Sequence, residues 1–63
     1  MPMKVREVIS LLTKRGWVEI RARGSHRNFK HPKSPYVITV PGAHGKEVAP
    51  GTLRDILKKA KLL

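Results

Sequence analysis

The sequence predicts an α+β domain, a two-layer sandwich in which two helices cover one face of a three-stranded antiparallel sheet. Apolar residues repeat with a helical period near both ends of the chain and with a period of two between them. Short Pro and Gly clusters separate these segments, and elements with one apolar face bury it by packing together. No repeat or change of composition divides the 63 residues, so we expect a single domain over residues 1–63 in the order α-β-β-β-α.

The first helix is predicted from Lys4 to Arg15. Gly16 follows it, and glycine suits the left-handed conformation that ends many helices. No Ser, Thr, Asp or Asn precedes Lys4, so we expect a poor N-terminal cap. The apolar residues have the i, i+3, i+4, i+7 spacing of one buried face: Val5, Val8, Ile9 and Leu12.

A β-hairpin is predicted next. Apolar and charged residues alternate from Trp17 to Arg23, which indicates a half-buried strand with Val18, Ile20 and Ala22 facing the helices. Gly24-Ser25 has glycine at the first central position, as a type II′ turn prefers. The turn sets the expected pairs: Arg23 with His26, Ala22 with Arg27, Arg21 with Asn28, Ile20 with Phe29, and Glu19 with Lys30.

A third strand and a second helix complete the prediction. Tyr36 to Val40 is rich in β-branched residues and reads as a strand, and Ala43 to Pro50 reads as a loop. The last helix starts either with Pro50 as its first residue or with Thr52 as its N-cap. Both starts give the same apolar face: Leu53, Ile56, Leu57 and Ala60.

The charge of the chain indicates a polyanionic partner. Fourteen Lys and Arg residues against four Asp and Glu residues give a net charge of +10, more than solubility requires. Such a charge favours encounter with nucleic acid. There is no cysteine, and the three histidines have no metal-ligand spacing, so we expect neither a metal nor a cofactor. No apolar stretch is long enough for a membrane span and no signal peptide is evident, so we expect a cytoplasmic protein.

A histidine among cationic residues is the one arrangement in the sequence that indicates a catalytic mechanism. The face of the sheet left uncovered by the helices is predicted to carry His26 among basic residues, with Glu19 as its lone acid. With an unperturbed pKa of about 6.5, histidine is an effective base near neutral pH. It could withdraw the proton of a ribose 2′-OH, whose oxygen then attacks the adjacent phosphorus; DNA would stay intact. The expected RNA contacts are Arg21, Arg23 and Lys30 on this face, together with Arg27. The pairing of Arg27 with Ala22 puts Arg27 on the helix side, where its stem can lie along apolar surface while its charged head reaches water at the end of the sheet.

The other histidines have weaker assignments. His31 would lie on the opposite face from His26, so we expect it to be a packing or strand-end residue. His44 lies in the unpatterned loop, as a second proton carrier or with no role. The acid that protonates the leaving 5′-oxygen is left open between Lys30, His44 and solvent. By itself, a histidine after a Gly-Ser turn is more often an ordinary surface residue than a catalytic one.

A longer set of residues resembles a known family. Gly16-Trp17, the segment Gly24 to Phe29, Thr39-Val40-Pro41, and Gly51-Thr52-Leu53 with Ile56-Leu57 are similar to HicA-type toxins, over nearly the whole chain. The resemblance implies a fold like that of double-stranded-RNA-binding domains, an mRNA interferase activity and a cognate HicB antitoxin.

The resemblance also assigns roles to residues. It implies that His26 is catalytic and that Gly24 and Ser25 form the turn that presents it. Near the C-terminus, Ala60-Lys61-Leu62 departs from the family's frequent Ala-Gly-Leu, which changes how the last helix ends.

Two other functions would also use a strongly basic surface. A non-catalytic RNA-binding module could use the same basic faces to recognise duplex shape. A small DNA-binding repressor would need a helix-turn-helix, whereas here strands separate the two predicted helices.

Overall fold

The computed structural model describes residues 2–63 and has the predicted order of helices and strands. These are α1 (Val5–Lys14), β1 (Val18–Arg23), β2 (His26–Lys30), β3 (Val37–Val40) and α2 (Pro50–Lys59). The strands form one antiparallel sheet in the order β1-β2-β3. Within residues 2–63, no helix has the length and apolar character needed to cross a membrane.

The core lies between the helices and one face of the sheet. Phe29 of β2 is paired with Ile38 of β3, and both are buried on the face that the helices cover. The predicted apolar stripes of both helices are confirmed. Ile9, Leu57 and Ala60 pack against this core, and the other residues of the two stripes are buried in it. The buried residues are Val5, Val8, Leu12, Trp17, Phe29, Ile38, Val40, Val48, Leu53 and Ile56.

The N-terminus of α1 is capped by partners that the local sequence did not indicate. The carboxylate of Glu7 accepts a hydrogen bond from the Lys4 backbone N–H at 2.7 Å. The first helical N–H groups donate to backbone carbonyls of the loop after β3: Val5 to Lys46 at 2.8 Å and Arg6 to His44 at 3.2 Å. The loop thus replaces the missing capping side chain and ties α1 to the region after the sheet.

The hairpin turn agrees with the prediction. Arg23 pairs with His26, so the connection has two residues, and the pairs of Ala22 and Arg21 across β2 are also as expected. Gly24 has φ +58°, while Ser25 is not among the residues with positive φ. A positive φ at the first central residue alone is the pattern of a type II′ turn, which confirms the predicted turn chemistry.

The predicted register is wrong beyond Arg21, because β1 contains a β-bulge at Ile20. Glu19 lies opposite Phe29, and Val18 opposite Lys30, so the expected pairs Ile20–Phe29 and Glu19–Lys30 do not form. The extra residue moves every earlier side chain of β1 to the other face of the sheet. Glu19 therefore lies on the helix side of the sheet and is not the lone acid of the uncovered face.

The prediction of a half-buried β1 is also wrong. All six of its residues are exposed, including Val18 at 60% and Ile20 at 53%. The helices pack over β3 and reach Phe29 on β2, so the edge strand β1 extends beyond the layer they form. Even Ala22, which faces the helix side, is uncovered. Bulges are common on such edge strands, where they interrupt the row of unpaired backbone groups.

Both helices end in the same hydrogen-bonded motif, but with different residues at the critical position. In α1, the Trp17 N–H donates to the Leu12 carbonyl at 3.0 Å, and Gly16 has φ +91°. The second helix begins with Pro50 at its first position, which decides between the two predicted starts. At its end, Leu62 N–H donates to Leu57 at 2.8 Å, and Lys61 has φ +58°.

Lys61→Gly is therefore expected to stabilise the protein. The left-handed conformation costs a non-glycine residue about 1–2 kcal/mol, part of which the greater freedom of glycine in the unfolded chain offsets. We expect a net gain of about 0.5–1 kcal/mol, or a melting temperature higher by roughly 4 °C, in thermal unfolding. The control Lys58→Gly, inside the last turn of α2, should lower stability by about 1 kcal/mol. A loss of stability in both variants would contradict the assignment.

Candidate nucleic-acid interface and active site

The sheet face turned away from the helices is called here the outer face. Its residues follow from the strand register. Lys30, for example, lies between Val18 of β1 and Val37 of β3. All strand residues of the outer face lie within the described part of the chain, and none of them is acidic. The outer face is therefore more uniformly positive than predicted. They are Val18, Arg21, Arg23, His26, Asn28, Lys30, Val37 and Thr39.

His26 is the first residue of β2 and lies directly after the turn, opposite Arg23. Its side chain is exposed. Across residues 2–63, the hydrogen bonds and ion pairs of side chains do not include its imidazole. Both ring nitrogens are therefore open to a ligand from solution.

The structure brings three of the four predicted RNA contacts to the face of His26. Arg23 is its cross-strand neighbour, Arg21 is two residues further along β1, and Lys30 lies at the other end of β2. Cross-strand pairs have Cβ atoms about 4.5–5.5 Å apart, so the long side chains of Arg23 and His26 can approach one ligand together.

Arg27 lies on the helix side of the sheet, as its predicted pairing with Ala22 implied. It alternates with His26 along β2, and its Nε lies 3.9 Å from Oε2 of Glu19 on the helix side. Both side chains are partly exposed, and such pairs contribute little to stability. Glu19 thus partly compensates the charge of Arg27. The predicted register had placed Glu19 opposite Lys30 instead.

Asn28 anchors the middle of the outer face, a role the sequence reasoning did not assign. Its side-chain oxygen accepts a hydrogen bond from the Thr39 hydroxyl at 2.7 Å, and its amide donates to the Arg21 carbonyl at 3.3 Å. One side chain therefore links all three strands, two residues from His26. The predicted pairing of Arg21 with Asn28 was the signal that could have identified this contact.

His31 has a structural role at the opposite end of β2. Its Nδ1 accepts a hydrogen bond from the Lys33 backbone N–H at 3.0 Å, so the ring proton is on Nε2, which lies 3.1 Å from the Arg15 carbonyl oxygen. The ring packs on Trp17, with centroids 5.3 Å apart. The prediction of a packing or strand-end residue is confirmed.

His31→Ala should destabilise the fold by about 1–3 kcal/mol, because two hydrogen bonds and the packing of the ring on Trp17 are lost. Thermal unfolding should show a melting temperature lower by at least about 5 °C. His44→Ala is the matched control: that side chain is exposed, and its loss should change stability by less than about 0.5 kcal/mol. Equal effects of the two variants would argue against the role given to His31.

The three histidines are separated by the fold. His26 begins β2, His31 packs on Trp17, and His44 is exposed in the loop that caps α1. In the part of the chain that the structure describes, no three His, Cys, Asp or Glu side chains are grouped so as to hold a metal ion.

The fold and the outer face together define a class: a small basic α+β domain with an exposed histidine on a cationic sheet face. The family model described as HicA toxin of bacterial toxin-antitoxin matches residues 5–62, a range that includes all five elements. The chain belongs to this family. It is the toxin of a toxin-antitoxin system, and the family implies an antitoxin as its partner. No curated protein matches the chain.

Proposed function

We propose that this toxin is an endoribonuclease that cleaves mRNA without a metal ion or cofactor, with His26 as the general base. One observation carries the proposal: an exposed imidazole with both nitrogens open lies on a sheet face whose described strand residues include cations and no acid. RNA supplies its own nucleophile, so a base and a set of phosphate-binding cations are the main requirements of the reaction.

In this reaction, the neutral imidazole of His26 takes the proton of a ribose 2′-OH. The 2′-oxygen forms a bond to the adjacent phosphorus, the bond to the 5′-oxygen breaks, and the leaving oxygen takes up a proton from solvent. The products are a 2′,3′-cyclic phosphate and a free 5′-hydroxyl. Arg21, Arg23 and Lys30 bind the phosphate groups, and Arg23, as the direct neighbour of His26, is best placed to stabilise the charge that grows on the scissile phosphate.

The β1–β2 hairpin positions His26. Gly24 and Ser25 form the turn that places His26 at the strand start, and the hydrogen bonds of Asn28 hold the adjacent strands in register. Arg27 lies near Glu19 on the other face, so we assign it no contact with the scissile phosphate.

For the antitoxin, we propose a HicB-like protein that covers the outer face. Such a protein would block the reaction by burying His26 and would bring carboxylates to Arg21, Arg23 and Lys30. The affinity of the complex should then decrease as salt increases, because charge complementarity contributes to it.

Incubation of the purified protein with RNA in EDTA tests the proposed activity. The nuclease shortens the RNA and leaves 2′,3′-cyclic phosphate ends, whereas a non-catalytic RNA-binding module shifts it intact. Intact RNA after long incubation with folded, antitoxin-free protein would favour the binding module. Cleavage that starts only when a divalent ion is added would contradict the metal-independent mechanism.

The salt dependence of binding should report the number of phosphate contacts on the outer face. Each phosphate neutralised on a single strand contributes about −0.7 to the slope of log K against log salt, so three cations predict a slope of about −2. We expect this value for a tetranucleotide bound to the His26→Ala variant, measured by calorimetry or fluorescence anisotropy. A slope close to zero would mean that these cations do not bind phosphate.

A further inference from the structure

A second cationic site lies at the end of the sheet opposite the β1–β2 turn. Both helices end here, and a cavity of about 330 Å³ opens between their ends and the turn after β2. We call it the end pocket. Its lining includes Trp17, His31 and Ser34, and four of its residues are cationic: Arg15, Lys33, Lys59 and Lys61.

The charge of the end pocket has little compensation. Among the described residues, 2–63, no acidic side chain lines it. Lys59 forms an ion pair with Asp55, with Nζ and Oδ2 3.1 Å apart. For Arg15, Lys33 and Lys61, the ion pairs found among residues 2–63 include no partner. Like charges repel when they converge on one cavity, so their convergence favours an anionic ligand.

The wall of the end pocket is held in place before any ligand binds. His31 is hydrogen-bonded through both ring nitrogens and packs on Trp17. Gly16 is close behind it: a Cβ at that position would lie 2.9 Å from the His31 Nε2. The Ser34 oxygen accepts a hydrogen bond from the Tyr36 N–H at 3.2 Å, which leaves its hydroxyl hydrogen able to donate to an anion.

We propose that the end pocket binds backbone phosphates of the same RNA strand that His26 cleaves, several nucleotides from the scissile bond. The inference rests on the proposed function. Lys30 lies on the outer face at the end of β2 next to the turn that carries Lys33, so it continues the line of cations from His26 towards the pocket. The strand from His26 to Lys30 covers about 13 Å, so a single polyanion can contact both sites.

The cations at the helix ends have a simpler explanation, which the experiment must separate from RNA binding. Positive side chains in the last turn of a helix stabilise its negative end, and Arg15, Lys59 and Lys61 lie at such ends. This explanation does not cover Lys33, which follows β2 and belongs to no helix. It predicts that neutralising these residues lowers stability and leaves RNA affinity unchanged.

The test combines Lys33→Gln and Lys61→Gln in the His26→Ala background, so that the RNA stays intact. Two probes are compared: a tetranucleotide and an RNA of about 12 nucleotides, within the range of site sizes that one small domain covers. At 0.1 M salt each lost contact should weaken binding about fivefold, so the longer RNA should bind roughly 25-fold more weakly, with a salt slope smaller by about 1.4. Binding of the tetranucleotide should weaken by less than about threefold, the effect of net charge alone.

The matched control is Lys14→Gln with Lys58→Gln. It removes the same charge from the last turns of α1 and α2, outside the lining of the end pocket. It should reduce the affinity for the longer RNA by less than about threefold, the effect of net charge alone.

Two results would overturn the inference: an equal loss of affinity for the longer RNA in both double variants, or an unchanged affinity of the Lys33→Gln, Lys61→Gln variant for the longer RNA, whether or not its melting temperature changes. The measurement uses binding alone. Failure of the proposed nuclease activity would therefore appear separately, as intact RNA in the EDTA experiment with His26 present.

Discussion

His26→Ala should reduce RNA cleavage by about 10²- to 10⁴-fold, the usual contribution of a general base. The affinity for RNA should change little, because Arg21, Arg23 and Lys30 remain on the outer face. The fold should also be unaffected, since the imidazole is exposed and the known side-chain contacts of residues 2–63 do not involve it. Initial rates on a labelled RNA, with anisotropy and thermal unfolding on the same preparation, measure all three.

Two controls are needed to attribute the loss of cleavage to the imidazole of His26. Lys14→Ala removes an exposed side chain of α1, away from the outer face, and should retain cleavage. The His26→Ala protein is purified by the identical procedure, so that a contaminating nuclease would appear in both preparations. A rate close to that of the unmodified toxin would remove His26 from the mechanism, whereas a parallel loss of RNA affinity would make it a binding residue.

A single 2′-deoxy nucleotide on the 5′ side of the scissile phosphate should abolish cleavage at that bond. The proposed nucleophile is the 2′-oxygen, and its removal leaves His26 with no proton to withdraw. Binding should remain within about threefold, because the phosphates that the cations contact are unchanged. Gel analysis of an end-labelled oligonucleotide shows whether cleavage at this bond stops while other bonds are still cut.

The matched substrate carries the 2′-deoxy group one nucleotide further along the strand and should be cut normally at the original bond. DNA of the same sequence should stay intact. Cleavage of the DNA, or of the deoxy-substituted bond, would show that water or a side chain is the nucleophile. That result would contradict the proposed reaction even if His26 were essential.

The predicted fold agrees with the structure where local patterns were sufficient. The helical stripe of Val5, Val8 and Leu12 is buried as predicted, and the Gly24-Ser25 turn sets the pairing of Arg23 with His26. These features depend on side-chain periodicity and on the conformational freedom of glycine, both of which operate over a few residues. The position of His26 on the outer face, next to the turn, follows from them directly.

The bulge at Ile20 could not be predicted in the same way. Val18, Ile20 and Ala22 alternate with charged residues, and a regular strand would place all three against the helices. The helices instead pack over β3, so no layer covers β1. Neither set of alternating residues in β1 is therefore buried. With no apolar contact to enforce the register, the strand accommodates an extra residue, and Glu19 moves to the face of Arg27.

The order of elements, the hairpin and the exposed imidazole are all predictable from local sequence, because each depends on residues close together in the chain. The grouping of charges on one surface depends on the packing of the whole domain. That packing puts Glu19 on the face opposite to His26, brings Asn28 to Thr39, and places Arg15, Lys33 and Lys61 around one pocket. These residues come from separate elements, and their distances depend on how the helices lie on the sheet, which no local pattern specifies.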